Sequence, residues 1–377
     1  MKKNKGFGLL GVIIIVLITA VVTCIATGVI MLNNTYVNIN SNLDLSNDKD
    51  LQEFISVYET LLSKYYDEID KKGMLEAAEE GMLDFLGDKY TTYLDDKEYQ
   101  DILDELSGTY NGIGIMIEGN KILNVTSQSP AEKAGILAND IILKINSVDV
   151  QTSNSEEIGN LIKSDNNKTV DLEIKRNEEI LFFSLTKEDL VNPSISYQKI
   201  NETNIGYIYI KNFSQNLSQQ VENALKELEN QNIGSLIIDV RDNSGGYLSA
   251  AEETSSLFLE EGKRIYSLET SNDKYHYNDK TKTKRTYPIV VLINNNSASA
   301  SEILAAALKE SYGASIVGIK SYGKGKVQQV VNSVKFTSAK WLTPTGNCID
   351  GVGITPDYIV ANIDSDSQLE KAVELLK

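Results

Sequence analysis

Pro288-Ile-Val-Val-Leu-Ile-Asn-Asn-Asn-Ser-Ala-Ser-Ala-Ser-Glu302 joins a short unbroken apolar run to a serine-rich turn. Residues 288–293 read as a buried strand, and residues 300–310 read as the helix that follows. Ser299 then sits at a strand-to-helix turn, the usual place for an exposed nucleophile. The same residues support a second reading: Ser299-Ala-Ser-Glu302 matches a capping box, with Ser299 capping the helix and Glu302 answering it. The two readings overlap, because a serine at a helix start lies beside unpaired N–H groups and the positive end of the helix dipole, which favour an oxyanion.

The chain contains one histidine, His276, inside the polar run Ser271-Asn-Asp-Lys-Tyr-His-Tyr-Asn-Asp-Lys280. That run has no core-forming pattern, so a Ser-His-Asp triad is not expected. If Ser299 attacks, its base is another group, and lysine is the best-attested substitute.

Outward from this stretch the pattern is strand–helix–strand. Residues 205–210, 235–240, 315–319 and 326–334 read as strands; residues 217–229 and 248–259 read as helices. This alternation predicts an α/β core. Residues 51–106 recur apolar at three and four, with Phe54, Ile55, Tyr58, Leu61 and Leu62 on one stripe, and predict a helical region broken at Gly73. Residues 113–117, 122–125 and 140–146, a short helix at 129–135, a helix at 155–164 and paired strands at 170–176 and 179–185 predict a separate small domain. The tail, 367–377, reads as a short amphipathic helix. The expected organisation is a stub and anchor at 1–32, a linker at 33–50, the helical region at 51–106, the small domain at 107–187 and the core at 188–377.

The chain has 377 residues and a net charge of −17, which excludes a nucleic-acid-binding surface. Residues 1–5 carry three lysines and residues 9–32 are apolar without a charge. About 20 apolar residues span a bilayer, and the basic side stays cytoplasmic. The expectation is a single uncleaved transmembrane helix with the rest of the chain outside the cell. A cleaved signal peptide and a lipoprotein at Cys24 are the competing readings. With Cys24 in the apolar run and Cys348 alone beyond it, no disulfide is expected outside the membrane.

Three segments follow strands, where open α/β sheets place their sites. Asp239-Val-Arg-Asp-Asn-Ser-Gly-Gly246 puts Gly245 and Gly246 where backbone N–H groups can point outward, as an oxyanion hole needs, or simply makes a turn. The second segment holds Ser299. The third, Tyr322-Gly-Lys-Gly-Lys-Val-Gln328, puts Lys324, Lys326 and Gln328 on one face if it is a strand. Lys324 would reach Ser299, Gln328 would orient the amine, and Lys326 would supply a like charge that lowers the Lys324 pKa. Single lysines are otherwise solvated surface charges. Gly318-Ile-Lys-Ser-Tyr-Gly-Lys-Gly325 nearly matches a P-loop, but Gly325 replaces the magnesium-binding Ser or Thr. Ser46-Asn-Asp-Lys49 and Ser164-Asp-Asn166 echo penicillin-recognising motifs without the third. No cluster has metal-ligand spacing, and no metal or cofactor is expected.

Together these three segments, with Trp341-Leu-Thr-Pro344 and Gly351-Val-Gly-Ile-Thr-Pro356, resemble the carboxyl-terminal processing peptidases, also called tail-specific proteases. The motifs stand in order, and Lys324 follows Ser299 by 25 residues. The resemblance implies a Ser/Lys dyad. Ser299 matches the nucleophile, Lys324 the general base and Gln328 the residue that positions it. Ala300 N–H and a glycine of the Gly245–Gly246 pair would form the oxyanion hole. Ser244 stands where the family commonly has Pro, Lys326 where it has Ser or Thr, and Asn139 where a Gly often precedes the Asp.

The small domain resembles a PDZ domain. Tyr110-Asn-Gly112-Ile113-Gly114-Ile115 matches its carboxylate-binding loop, and Ser129-Pro-Ala-Glu-Lys-Ala-Gly135 a typical internal segment. Such a domain takes a C-terminal peptide as an added strand. The implied protein is a membrane-anchored, extracytoplasmic serine endopeptidase of a Gram-positive bacterium. It would cut exported proteins near apolar C-termini; the helical region and the tail helix are candidate surfaces for a homodimer, and the sequence leaves the oligomeric state open. A non-catalytic PDZ adaptor on a protease-like fold is the rival, and a small-molecule acyl hydrolase a second.

Overall fold

The computed structural model describes residues 47–377 apart from 164–167, 283–284, 332 and 363–364. The expected anchor and most of the expected linker lie outside the described residues. Among the described residues no helix is long and apolar enough to cross a membrane.

The chain divides between Gly81 and Met82 into two compact units. The first carries helix α1 (Lys49–Lys64) and most of α2 (Lys71–Phe85). Asp48 caps α1 by accepting from the N–H groups of Asp50 and Leu51. The break expected at Gly73 falls earlier, before Lys71. Asp70 accepts from the N–H groups of Lys72 and Gly73 and starts α2 there, so a cap outweighs the poor helix propensity of a first-turn glycine.

The second unit opens with a two-residue strand, β1 (Thr92–Tyr93), and α3 (Asp96–Ser107), which starts at an Asp95/Glu98 capping box and ends at Gly108 with φ 67°. The small domain follows: β2 (Thr109–Gly112), β3 (Ile115–Glu118), β4 (Lys121–Val125), α4 (Pro130–Ala134), β5 (Ile141–Ile145), β6 (Val148–Asp149), α5 (Ser155–Lys163), β7 (Thr169–Arg176), β8 (Glu179–Thr186) and β9 (Glu188–Val191). Its sheet runs β3-β4-β5-β7-β8 with β6 on β5, while β2 pairs with β9 in a separate two-stranded sheet. The run expected as one strand at 113–117 is therefore split, with Ile113 and Gly114 forming a loop between β2 and β3. Alternate residues Val170, Leu172 and Ile174 of β7 enter a core with Ile122, Ile142, Ile145 and Ile158. Pro130 opens α4 and Gly135 closes it in the left-handed region, as the sequence predicts.

The remaining elements are β10 (Ile195–Lys199), β11 (Ile205–Ile210), α6 (Leu217–Asn230), β12 (Ser235–Asp239), α7 (Leu248–Ser256), β13 (Arg264–Glu269), β14 (Lys274–Asn278), β15 (Ile289–Ile293), α8 (Ala300–Ala307), a π-helical turn (Leu308–Tyr312), β16 (Ser315–Gly318), β17 (Lys326–Val331), β18 (Val334–Leu342), β19 (Tyr358–Ile359) and α9 (Ser367–Leu376). One sheet runs β10-β11-β12-β15-β16-β19, parallel except for β10. Its strands are apolar on both sides, because both faces are covered. Ile238, Val291 and Ile293 pack with Leu225, Leu304 and Phe258 beneath α6, α7 and α8. Ile237, Val290, Leu292 and Val317 pack against Ala372 and Val373 of α9. A second, antiparallel sheet runs β1-β18-β13-β14, with β17 on β18. Sequence patterning did not anticipate β10, β13, β14 or β18. The polar run around His276 is strand β14, paired with β13 so that Ser267 stands opposite His276.

Candidate active site

Ser299 follows β15 and precedes α8, with φ 55° and ψ −116°. A non-glycine residue in this region is strained, and its surroundings must hold it there. The serines on either side do so. Ser297 Oγ donates to the Val240 carbonyl at 2.7 Å and accepts from Asn294 N–H at 2.9 Å. Ser301 Oγ donates to the Asn243 carbonyl at 2.9 Å, which also accepts from Ala298 N–H at 3.0 Å. Ser299 N–H donates to Glu302 Oε2 at 2.9 Å, so the Glu302 arm of the capping box is in place.

The turn after β12 lies against this segment. A Cβ on Gly245 would stand 2.9 Å from Ser299 Cβ and 3.0 Å from Ala300 N, and the residue's φ is 107°. Only glycine leaves that space open. Gly245 N–H is taken by Asn243 Oδ1 at 2.8 Å, while Asn243 Nδ2 donates to the Ile210 carbonyl at 2.7 Å. The turn is tied from its other side, since Phe213 N–H donates to Gly245 O and Tyr247 N–H to Phe213 O. Gly246 N–H and Ala300 N–H donate to no described residue. Of the two glycines expected here, only Gly246 keeps a free donor.

Lys324 does not lie in a strand, as its alternation with Lys326 and Gln328 suggested; β17 begins at Lys326. Lys324 sits in a turn between Gly323 and Gly325. A Cβ on Gly325 would stand 2.6 Å from Asp350 Cβ, so glycine lets the 349–353 loop close behind the lysine. The turn is held by buried Trp341, whose Nε1 donates to Lys324 O at 2.8 Å. Lys324 N–H donates to Glu302 Oε2 at 2.9 Å, the oxygen that also binds Ser299 N–H. Glu302 Oε1 accepts from Gly323 N–H at 2.8 Å and from the Ser321 hydroxyl. One buried carboxylate thus joins the serine segment to the lysine segment. Burial pushes its pKa up, against the opposing pull of these four hydrogen bonds. The sequence showed Glu302 only as the second member of a capping box.

Burial lowers the Lys324 pKa, and the Lys335 charge lowers it further, against the attraction of Glu302. Lys326, expected to supply that like charge, instead pairs with Asp88 at 2.9 Å, which raises its own pKa. Among the described residues Lys324 Nζ makes no hydrogen bond to Ser299 or Gln328. It stands over the Tyr90 ring, 5.5 Å from the centroid. Gln328 Nε2 instead reaches Thr337 Oγ1 at 3.5 Å. The lone imidazole is engaged elsewhere: His276 Nδ1 lies 2.9 Å from Ser267 Oγ and 2.9 Å from an Arg264 nitrogen.

In the small domain, β3 is an edge strand facing α5, and Ser155 Oγ at the start of α5 accepts from Gly119 N–H at 2.8 Å. Ile113 is buried, Ile115 packs on the domain's core, and the Tyr110 ring lies against Gly112. The carbonyls of Ile113 and Gly114 accept from Ala131 and Thr126, while their N–H groups donate to no described residue.

Comparison with known proteins adds independent findings. Residues 204–360 match the model of peptidase family S41, residues 121–176 a PDZ domain, and residues 23–98 the activating protease CtpB N-terminal domain. Carboxy-terminal processing protease CtpB of Bacillus subtilis is 35% identical over 335 residues, 85% of this chain and 70% of that protein. CtpA of the same organism is 34% identical over 91% of this chain and 75% of its own length. A probable CtpA-like serine protease of Staphylococcus aureus is 32% identical over 92% of this chain and 70% of its own length. The solved photosystem II D1 C-terminal processing protease shares the fold, with TM-score 0.52 and 24% identity over 86% of this chain and 91% of that one.

Proposed function

This chain belongs to peptidase family S41 as a carboxy-terminal processing serine protease, and from that premise we propose a Ser299/Lys324 endopeptidase that cuts exported proteins near apolar C-termini. The observation that carries the reading is Glu302 Oε2, 2.9 Å from both Ser299 N and Lys324 N, because it binds the two segments into one site. Lys324 reaches Ser299 by turning its flexible side chain away from Tyr90, with its backbone already fixed. Neutral Lys324 accepts the Ser299 hydroxyl proton as Oγ attacks the peptide carbonyl. Gly246 N–H and Ala300 N–H receive the resulting oxyanion, with Gly245 keeping the space between them clear. The tetrahedral intermediate expels the amine, which takes its proton from the Lys324 ammonium. Water then hydrolyses the acyl-enzyme with Lys324 again as base. Gln328 orients Lys324 by accepting from its amine.

The PDZ domain takes the substrate tail as a strand added to the free edge of β3 against α5. The N–H groups of Ile113, Gly114 and Ile115 hold the terminal carboxylate, with Tyr110 and Gly112 shaping the loop. Residues 9–32 anchor the chain in the cell membrane of a Gram-positive bacterium, with the peptidase outside. The exposed face of α1, with Phe54, Ile55, Val57 and Leu61, supports association of two copies, which sedimentation of the full chain would test.

The test uses the full chain in detergent with an unstructured protein ending in apolar residues, reading products by mass spectrometry. Cleavage by wild type and its loss in both Ser299→Ala and Lys324→Ala is expected. Undiminished cleavage by either variant refutes the dyad, and tail binding without cleavage in the wild type returns the reading to an adaptor.

A further inference from the structure

The turn after α2 runs along the strands that carry the proposed base machinery. β1 pairs with β18, with Thr92 opposite Lys335, and Leu94 N–H donates to Ser333 O at 2.8 Å. This places Asp88 against Thr337, the cross-strand partner of Gln328. Asp88 has three side-chain donors around it. Lys326 Nζ lies 2.9 Å from Oδ1, Thr91 Oγ1 lies 2.8 Å from Oδ2, and Thr337 Oγ1 donates to Oδ2.

These bonds impose a direction. An ionised carboxylate only accepts, and a hydroxyl has one proton. The Thr337 proton is committed to Asp88, so Thr337 can only accept from Gln328. Gln328 must then turn its NH2 toward Thr337, where Nε2 lies at 3.5 Å. Its carbonyl oxygen is left facing away from Thr337, free to accept from an amine. A carboxamide carries no preference of its own for which end faces which neighbour; the network decides. Burial alone would raise the Asp88 pKa, but the hydrogen bonds from Thr337, Lys326 and Thr91 hold it well below the usual carboxylate range, so the acceptor state persists at neutral pH.

We infer that Asp88 is a positioning residue for the general base, acting through Thr337 to fix the amide of Gln328 with its oxygen available to Lys324. The inference rests on the Ser299/Lys324 reading and adds a support contributed from outside the peptidase core. Tyr90, two residues on, completes the support: its ring lies under the Lys324 ammonium at 5.5 Å and confines the side chain when it is not at Ser299.

The test measures kcat and KM of the full chain in detergent on fluorescein-labelled casein, with melting temperatures alongside. Asp88→Ala, which removes the acceptor, and Thr337→Val are each expected to lower kcat by about 10-fold with KM unchanged, and Thr337→Ser, which keeps the hydroxyl, to stay within about 3-fold of wild type. Gln328→Ala sets the reference, and Asp88→Ala added to it is expected to lower kcat no further. A purely structural role would lower kcat by the same factor in both backgrounds. That multiplicative result, or wild-type kcat in Thr337→Val, overturns the inference while leaving the dyad standing. Activity surviving in Ser299→Ala or Lys324→Ala would instead remove the reading beneath it.

Discussion

Gly245→Ala is the sharpest probe of the proposed oxyanion site. The new Cβ would stand 2.8 Å from Ala298 O, 2.9 Å from Ser299 Cβ and 3.0 Å from Ala300 N. Carbon atoms rest about 3.5–4.0 Å apart, so the turn must retreat by about half an ångström or more. The substituted residue must also keep a φ of 107°, which adds about 1–3 kcal/mol of backbone strain. On a chain of this size that lowers Tm by about 1–4 °C. Retreat of the turn carries Gly246 N–H away from Ala300 N–H, and losing one oxyanion donor lowers kcat by about 10²–10³-fold. Gly262→Ala is the control: its φ is 86°, yet a Cβ there meets nothing within 4 Å. It should lower Tm comparably and leave kcat unchanged. Initial rates on casein beside thermal melts give both quantities. A folded Gly245→Ala variant with wild-type kcat would refute the placement of the hole.

Four further outcomes follow from the charges. Lys324 has a depressed folded pKa, so its native state loses stability as pH falls through that value; Lys324→Met should raise Tm at pH 7, with the gain vanishing above about pH 10.5. In the wild type, activity should rise through the same depressed pKa, and a falling alkaline limb would count against Lys324 as base. Arg176 binds buried Asp140 through two nitrogens, at 2.8 and 2.7 Å, and Arg176→Ala strands that carboxylate at a loss of about 3 kcal/mol, read as selective exchange of β5 and β7 amides. Arg241 ties Asp239 on β12 to Asp366 before α9, so Arg241→Ala should expose residues 361–377 to limited proteolysis; protection equal to wild type would show that apolar packing alone holds α9.

The sequence determined what local pattern can determine. Unbroken apolar runs marked β11, β12 and β15, because strands covered on both faces must be apolar throughout. Pro130, Gly135 and Glu302 announced caps, since capping is chemistry between near neighbours. The order of three motifs disclosed the family. Tertiary structure decided the rest. β13, β14 and β18 carry mixed side chains that mean little until a partner strand supplies their hydrogen bonds. Gly245 and Gly246 are indistinguishable in sequence, and only Asn243 folding back on the turn leaves Gly246 with the free donor. Glu302 was a cap until the Lys324 turn reached its other lone pairs. Asp88 lies 249 residues from Thr337, and no periodicity links them. Their hydrogen bond exists because β1 pairs with β18, a contact that only the folded chain makes.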